Sequence, residues 1–143
     1  MKLATIGYEA STVPDVVGRL KAAGVEVVVD VRAVAASRRP GFSKTMLAAN
    51  LAEAGIEYVH LRQLGTPSDG RTAARAGRVA EMHRIFHAHM EEPGPQLELI
   101  RAAEIVSSRK AALLCYEADA EGCHRTIVAD MLKERLPLEV EDL

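Results

Sequence analysis

Four short apolar runs, separated by longer stretches of helical periodicity, set the pattern of this chain. Residues 2–6 (KLATI), 25–31 (VEVVVDV), 56–61 (IEYVHL) and 111–116 (AALLCY) are each apolar almost throughout and end in polar or turn residues. Runs of that length, rich in β-branched side chains, read as strands buried on both faces, as in a parallel sheet. Residues 138–140 offer a short last strand.

Between the runs the period lengthens. Ser11 or Thr12 can cap a helix that has Pro14 in its first turn, runs to about residue 23 and stops at Gly24. Residues 44–54 have helical character and stop at Gly55. Residues 72–90 read as one helix with Val79, Met82 and Phe86 on a stripe; Pro93-Gly94-Pro95 breaks it, and 96–108 form another on Leu97, Ile100 and Ile105. A final helix spans about 123–135, with Cys123, Ile127 and Met131 on one face and His124, Val128 and Leu132 beside them. Residues 32–44 and 65–70 read as loops from their turn residues. Strand and helix alternate as βαβαβ, two helices, then βαβ. The expectation is one α/β domain of 143 residues: a mostly parallel sheet of four to five strands with helices on both faces.

Composition narrows the setting. The chain is 48% apolar with only three Tyr, two Phe and no Trp, so aliphatic side chains and alanine must build the core. No apolar run approaches the ~18 residues of a membrane span, and no secretory pattern opens the chain, which makes the expectation cytoplasmic with no membrane partner. Two cysteines in such a setting argue for free thiols rather than a bridge. The net charge of −2 hides a basic middle: residues 32–84 carry +5, and residues 85–143 carry −6. A basic segment suits phosphate-bearing partners, although it also describes an ordinary solvated face.

Parallel strands all end along one edge, and in this chain the chemistry collects there. Tyr8 and Glu9 follow the first strand, Asp30 and Arg32 end the second, and Glu117 follows the fourth. Asp30 and Arg32, two apart on extended chain, face the same side, either as a structural pair or as part of a site. The loop after them carries Arg32, Arg38, Arg39 and Lys44, with Ser37 as a hydroxyl donor; arginine forks match phosphate or carboxylate oxygens. The segment GYEAS lacks the G-x-G-x-x-G spacing, which argues against a dinucleotide-binding domain.

The triplet Cys123-His124-Arg125 stands at a helix start, where unpaired amides and the dipole can lower a thiol pKa. A thiol, an imidazole and Glu117 together are the parts of a nucleophile with its base, but neighbours on a helix point about 100° apart and need not touch. Cys115 lies in a strand and reads as inert core. Cys123, His124 and Glu117 could ligate a metal, and His83 with His87 have i, i+4 spacing; without a Cys/His quartet, solvated histidines are the better reading and neither metal nor cofactor is expected.

TIGYE, DVR followed by SRRPGFSK, IEYVHLRQLG and LLCYEADAEGCHR together resemble the bacterial and archaeal family called domain of unknown function 488. The resemblance covers nearly the whole chain. It implies an α/β domain in which Asp30, Arg32, Ser37, Arg38, Glu117, Cys123, His124 and Arg125 occupy motif positions, and it names no reaction. Two departures stand out: Ala35 replaces the proline usual between the DVR and SR pieces, and Thr66 replaces a glycine common after LG.

The leading expectation is a site at the sheet's C-terminal edge for a phosphate-bearing ligand, a nucleotide or a nucleic-acid end. Tyr8, Glu9, Arg32, Ser37, Arg38 and Arg125 would contact it, and Glu117 and Asp30, with Cys123 and His124, would carry any hydrolysis or transfer. Two other classes fit the same residues: a non-catalytic nucleic-acid or protein-binding module using the basic segment, and a thiol enzyme or redox sensor using Cys123. Whether the protein is an enzyme, and its oligomeric state, stay open at this point.

Overall fold

The computed structural model describes residues 1–143 apart from the side chain of residue 121. The elements run β1 (Lys2–Gly7), α1 (Val13–Ala22), β2 (Val27–Asp30), α2 (Lys44–Glu53), β3 (Glu57–His60), a 3-10 turn (Arg62–Leu64), α3 (Ser68–Arg75), α4 (Val79–Met90), α5 (Pro93–Ser108), β4 (Ala111–Cys115), a second 3-10 turn (Ala120–Gly122), α6 (Arg125–Lys133) and β5 (Glu139–Asp142). The strands form one sheet in the order β3-β2-β4-β1-β5, and every neighbouring pair is parallel. The short last strand is real: it pairs with the outer side of β1, Leu3 opposite Val140.

Alternation along the strands splits the core into two layers. Leu3, Val27, Val29, Ala111 and Leu113 pack under α3 to α6 with Met82, Phe86, Leu99, Val128 and Leu132. Ala4, Ile6, Val28, Ala112 and Leu114 pack under α1 and α2 with Val16, Leu20, Leu47 and Leu51. Both faces are covered, which is why these strands carry no polar face.

The crossovers explain where a site can form. The chain leaves β2 toward α2 on one face and leaves β4 toward α6 on the other, and β2 and β4 are neighbours. Their following loops therefore part to opposite sides and open a crevice at the C-terminal edge, the usual place for a ligand in an open α/β sheet.

Two helical expectations are corrected. The helix expected over 72–90 is two helices, because Gly77 takes a left-handed φ of +78° that ends α3, and α3 itself starts at Ser68 in what reads as loop. On α5 the buried side chains are Pro95, Leu99, Ala102 and Val106, whereas Leu97 is 67% and Ile100 42% exposed. Leu97 and Ile100 therefore lie on the exposed side of α5, away from the buried face. α4 does end at Met90, ahead of Pro93-Gly94-Pro95, but α5 begins at Pro93 rather than at residue 96, at a position where the missing N–H costs nothing. No helix among the described residues is long and apolar enough to cross a membrane.

Candidate functional site

Asp30, the last residue of β2, is fully buried and organises one wall of the crevice. Its carboxylate accepts from Arg32 Nε at 2.9 and 3.0 Å, from Nη2 at 2.6 Å, from the Arg32 backbone N–H at 3.0 Å and from the Tyr58 hydroxyl at 2.6 Å. Arg32 also donates to the Tyr8 hydroxyl (3.0 Å) and the Phe42 carbonyl (2.8 Å). Burial works against the Arg32 charge, but hydrogen bonds and charge from Asp30 outweigh it and hold the guanidinium above its ordinary pKa. Burial and the Asp30 carboxylate likewise raise the Tyr58 hydroxyl. Tyr8 stacks on Phe42 with centroids 4.4 Å apart, and an imidazole nitrogen of His60 bonds the Arg32 carbonyl at 2.7 Å, so the start of the basic loop is fixed from three sides.

The rest of that loop folds back on itself. Ser43 Oγ accepts from the Ser37 amide (3.0 Å) and donates to the Ser37 carbonyl (3.1 Å); the Ser37 hydroxyl accepts from the Arg39 amide (3.1 Å). Arg39 is drawn inward to the Ser11 carbonyl. Arg38 stays exposed, with no side-chain hydrogen bond or ion pair among the described residues, and lines the crevice.

The opposite wall comes from β4 and α6. The end of β1 continues to pair with the loop after β4, Tyr8 N–H to the Cys115 carbonyl at 3.3 Å and Glu9 N–H to the Tyr116 carbonyl at 2.8 Å. That pairing brings Gly7 so near that a Cβ there would stand 1.7 Å from the Glu117 carbonyl oxygen, so only glycine fits. Glu9 accepts from the Ala118 amide at 3.1 Å and ties the same two segments together.

Arg125 is fully buried beneath this wall, and burial lowers its pKa. It donates to Thr5 Oγ1 (3.2 Å), to Cys115 Sγ (2.9 Å), to the Ala118 carbonyl (3.2 Å) and to the Glu117 carbonyl. Glu117 Oε2 lies 3.5 Å from Cys115 Sγ, and burial raises its carboxyl above the ordinary range. His124 donates from Nε2 to the Val31 carbonyl at 2.7 Å, because a carbonyl can only accept, and this leaves Nδ1 as a bare acceptor 3.7 Å from Cys123 Sγ. Burial pushes the His124 pKa down to about 4, so the imidazole is neutral.

The cysteines are paired, against the expectation of free thiols, while Cys115 is buried in the core as expected. Cys115 closes β4 at the crevice edge, the chain turns through residues 116–122, and the sulfurs of Cys115 and Cys123 are brought into direct contact. Cys115, Glu117 and Cys123 also offer donor atoms that all lie within 4.8 Å of one another, a potential metal-ligand group when the thiols are free. His83 and His87 face a separate groove with Asp130 and Glu134, while His89 is not simply solvated, bonding the Gln63 carbonyl at 2.7 Å.

Between the two walls lies a cavity of about 530 Å³. Tyr8, Arg32, Ser37, Arg38, Glu117 and His124 line it, as do Thr66, Arg71, Arg75, Cys115 and Tyr116, which sequence reasoning missed. Arg71 and Arg75 had a signal, i, i+4 spacing on a helix within the basic segment. Asp30, Glu9, Cys123 and Arg125 are not among the lining residues: Asp30 is buried, its carboxylate bonded to Arg32 and Tyr58, and Arg125 is buried, donating to Thr5, Cys115 and two carbonyls. Besides Arg32, the arginines that line the cavity are Arg38, Arg71 and Arg75.

Residues 12–132 match the profile of the family described as domain of unknown function DUF488. The protein belongs to this family. Neither a curated protein nor a solved structure matches the chain. The DUF488 match spans every element that builds the crevice except β1 and the loop after it, which supply Gly7, Tyr8 and Glu9.

Proposed function

We propose that this DUF488 protein binds a phosphate-bearing small molecule, a nucleotide or a nucleic-acid end, in the cavity between the β2 and β4 loops. One observation carries the reading: Arg38, Arg71 and Arg75 converge from two separate segments on a single cavity that also holds Arg32. Guanidinium groups lining one cavity favour an anion there, and Arg71 is steadied by its bond to the Thr66 carbonyl at 2.9 Å. The volume falls in the range of small-molecule sites, and the exposed Tyr116 at its edge offers a face on which a base can stack. Glu117, whose carboxyl burial holds above its ordinary range, would act as general acid or base in hydrolysis or transfer.

The test is a thermal-shift panel of phosphate, pyrophosphate, nucleotides and short oligonucleotides on wild type and on Arg38→Ala/Arg75→Ala. Both arginines are exposed and, among the described residues, without a side-chain hydrogen bond or ion pair, so the double variant should fold normally. At ~100 times Kd a ligand stabilises by about 2.7 kcal/mol, a shift of several degrees for a domain of this size. The double variant should bind about 100-fold more weakly, at roughly 1.5 kcal/mol per lost charged hydrogen bond. A panel with no stabiliser, or equal shifts in both proteins, would refute the anion site. Tight oligonucleotide binding that survives the double variant would favour the non-catalytic module instead.

A further inference from the structure

The geometry points to Cys115 and Cys123 as a reversible dithiol–disulfide couple that exchanges electrons with small-molecule thiols entering the cavity. This goes beyond anion binding and stands if that reading fails. Cys115 is the one cysteine among the residues lining the cavity, although only 1% of it is exposed, so a small thiol is expected to approach the pair from the Cys115 side. Each sulfur also has a partner suited to its reduced form. Arg125 Nη1 donates to Cys115 Sγ at 2.9 Å, and a buried cation beside a sulfur favours thiolate. A bridged sulfur is only a weak acceptor for that donor, so the reduced state is the one Arg125 serves better. Cys123 Sγ accepts from the Arg125 amide at 3.5 Å at the start of α6, and Nδ1 of neutral His124 stands ready for its S–H at 3.7 Å.

In the reducing direction, a thiolate in the cavity attacks Cys115 Sγ. The Cys115–Cys123 bond breaks and its electron pair leaves on Cys123. A second thiolate then attacks the sulfur that the first has attached to Cys115, which releases a small-molecule disulfide and leaves Cys115 as thiolate against Arg125. Two thiols surrender two electrons and two protons; one proton ends on Cys123, hydrogen-bonded to His124, and the other goes to solvent. Oxidation by a small-molecule disulfide is the reverse.

The full-length protein is equilibrated without denaturant in graded mixtures of reduced and oxidised dithiothreitol. Thiols are then alkylated and counted by intact mass. The expected result is a single step from no alkylated cysteine to two. Cys123→Ser incubated with hydroxyethyl disulfide should add one mercaptoethanol to Cys115, at least tenfold faster than Cys115→Ser adds one to Cys123. If either variant fails to fold, the wild-type titration decides alone. A bridge that resists every ratio until denaturant is added would overturn the couple, as would two cysteines that stay alkylatable at the oxidised end. Protection of both thiols by zinc, lost on chelation, would replace it with a metal centre.

Discussion

Replacing Asp30 with alanine is expected to destabilise the fold by about 4 kcal/mol, the largest effect of any single side chain at the site. The carboxylate is fully buried, and its removal leaves the Arg32 guanidinium, itself only 6% exposed, as an uncompensated charge inside the protein. Breaking a buried ion pair from one side typically costs 3–5 kcal/mol, because the surviving charge keeps its desolvation penalty and loses its partner. The Tyr58 hydroxyl loses its acceptor in the same step. Tyr58→Phe, which removes only that bond, should cost about 1 kcal/mol. Urea denaturation with an unchanged slope provides the comparison. A loss below 1 kcal/mol for Asp30→Ala would mean that the pair is hydrated and does not anchor the loop.

The second large effect is a dependence on pH set by His124. An unfolded histidine titrates near 6.5, whereas the folded His124 stays neutral down to about 4. Above pH 6.5 both states hold a neutral ring and the residue contributes nothing to the slope. As pH falls from 6.5 to 4, the unfolded chain takes up a proton that the native state refuses, so stability drops. At 1.36 kcal/mol per unit the full loss approaches about 3 kcal/mol. Burial is the main cause; Arg125 and His89 act in the same direction, while the Val31 carbonyl and Asp30 oppose it. His124→Gln, which can keep a donor toward Val31, should flatten the stability profile between pH 7 and 4.5 by about 2 kcal/mol. Parallel profiles for the two proteins would show that the native imidazole protonates freely, and would remove it as a neutral acceptor for Cys123.

The sheet was legible because parallel strands must be apolar on both faces, and 25–31, 56–61 and 111–116 are apolar almost to their ends. The charged residues just beyond them marked the crevice for the same reason: charge is tolerated where the sheet opens. Asp30 with Arg32 followed from the two-residue period of extended chain. The cysteine pair was not legible. It depends on a turn of eight positions bringing a strand end back to a helix start, which spacing alone does not specify. Arg71 and Arg75 were hidden for a related reason. A single long helix over 72–90 gives no cause for its first turns to bend over the crevice, and Gly77 supplies it. The α5 face was misread because the large apolar side chains Leu97 and Ile100 stay exposed, while Pro95 and Ala102 are buried with Leu99 and Val106.

The role of Arg125 changed most. It reads as an anion-binding side chain beside a reactive thiol, but in the fold it lies inside the wall and orders the loop after β4 through two carbonyls and a sulfur. In its place Arg71 and Arg75 of α3 line the cavity, as does Cys115 where Cys123 does not.

The most direct test of the anion site is amide chemical-shift mapping during titration with pyrophosphate at constant ionic strength. The expected result is saturable perturbation confined to Tyr8, Met82 and residues 32–38, 66–75 and 115–124, which line the cavity. Perturbation spread over exposed basic residues elsewhere, such as Arg62 and Arg84, or none at all, would contradict a built anion site between the β2 and β4 loops.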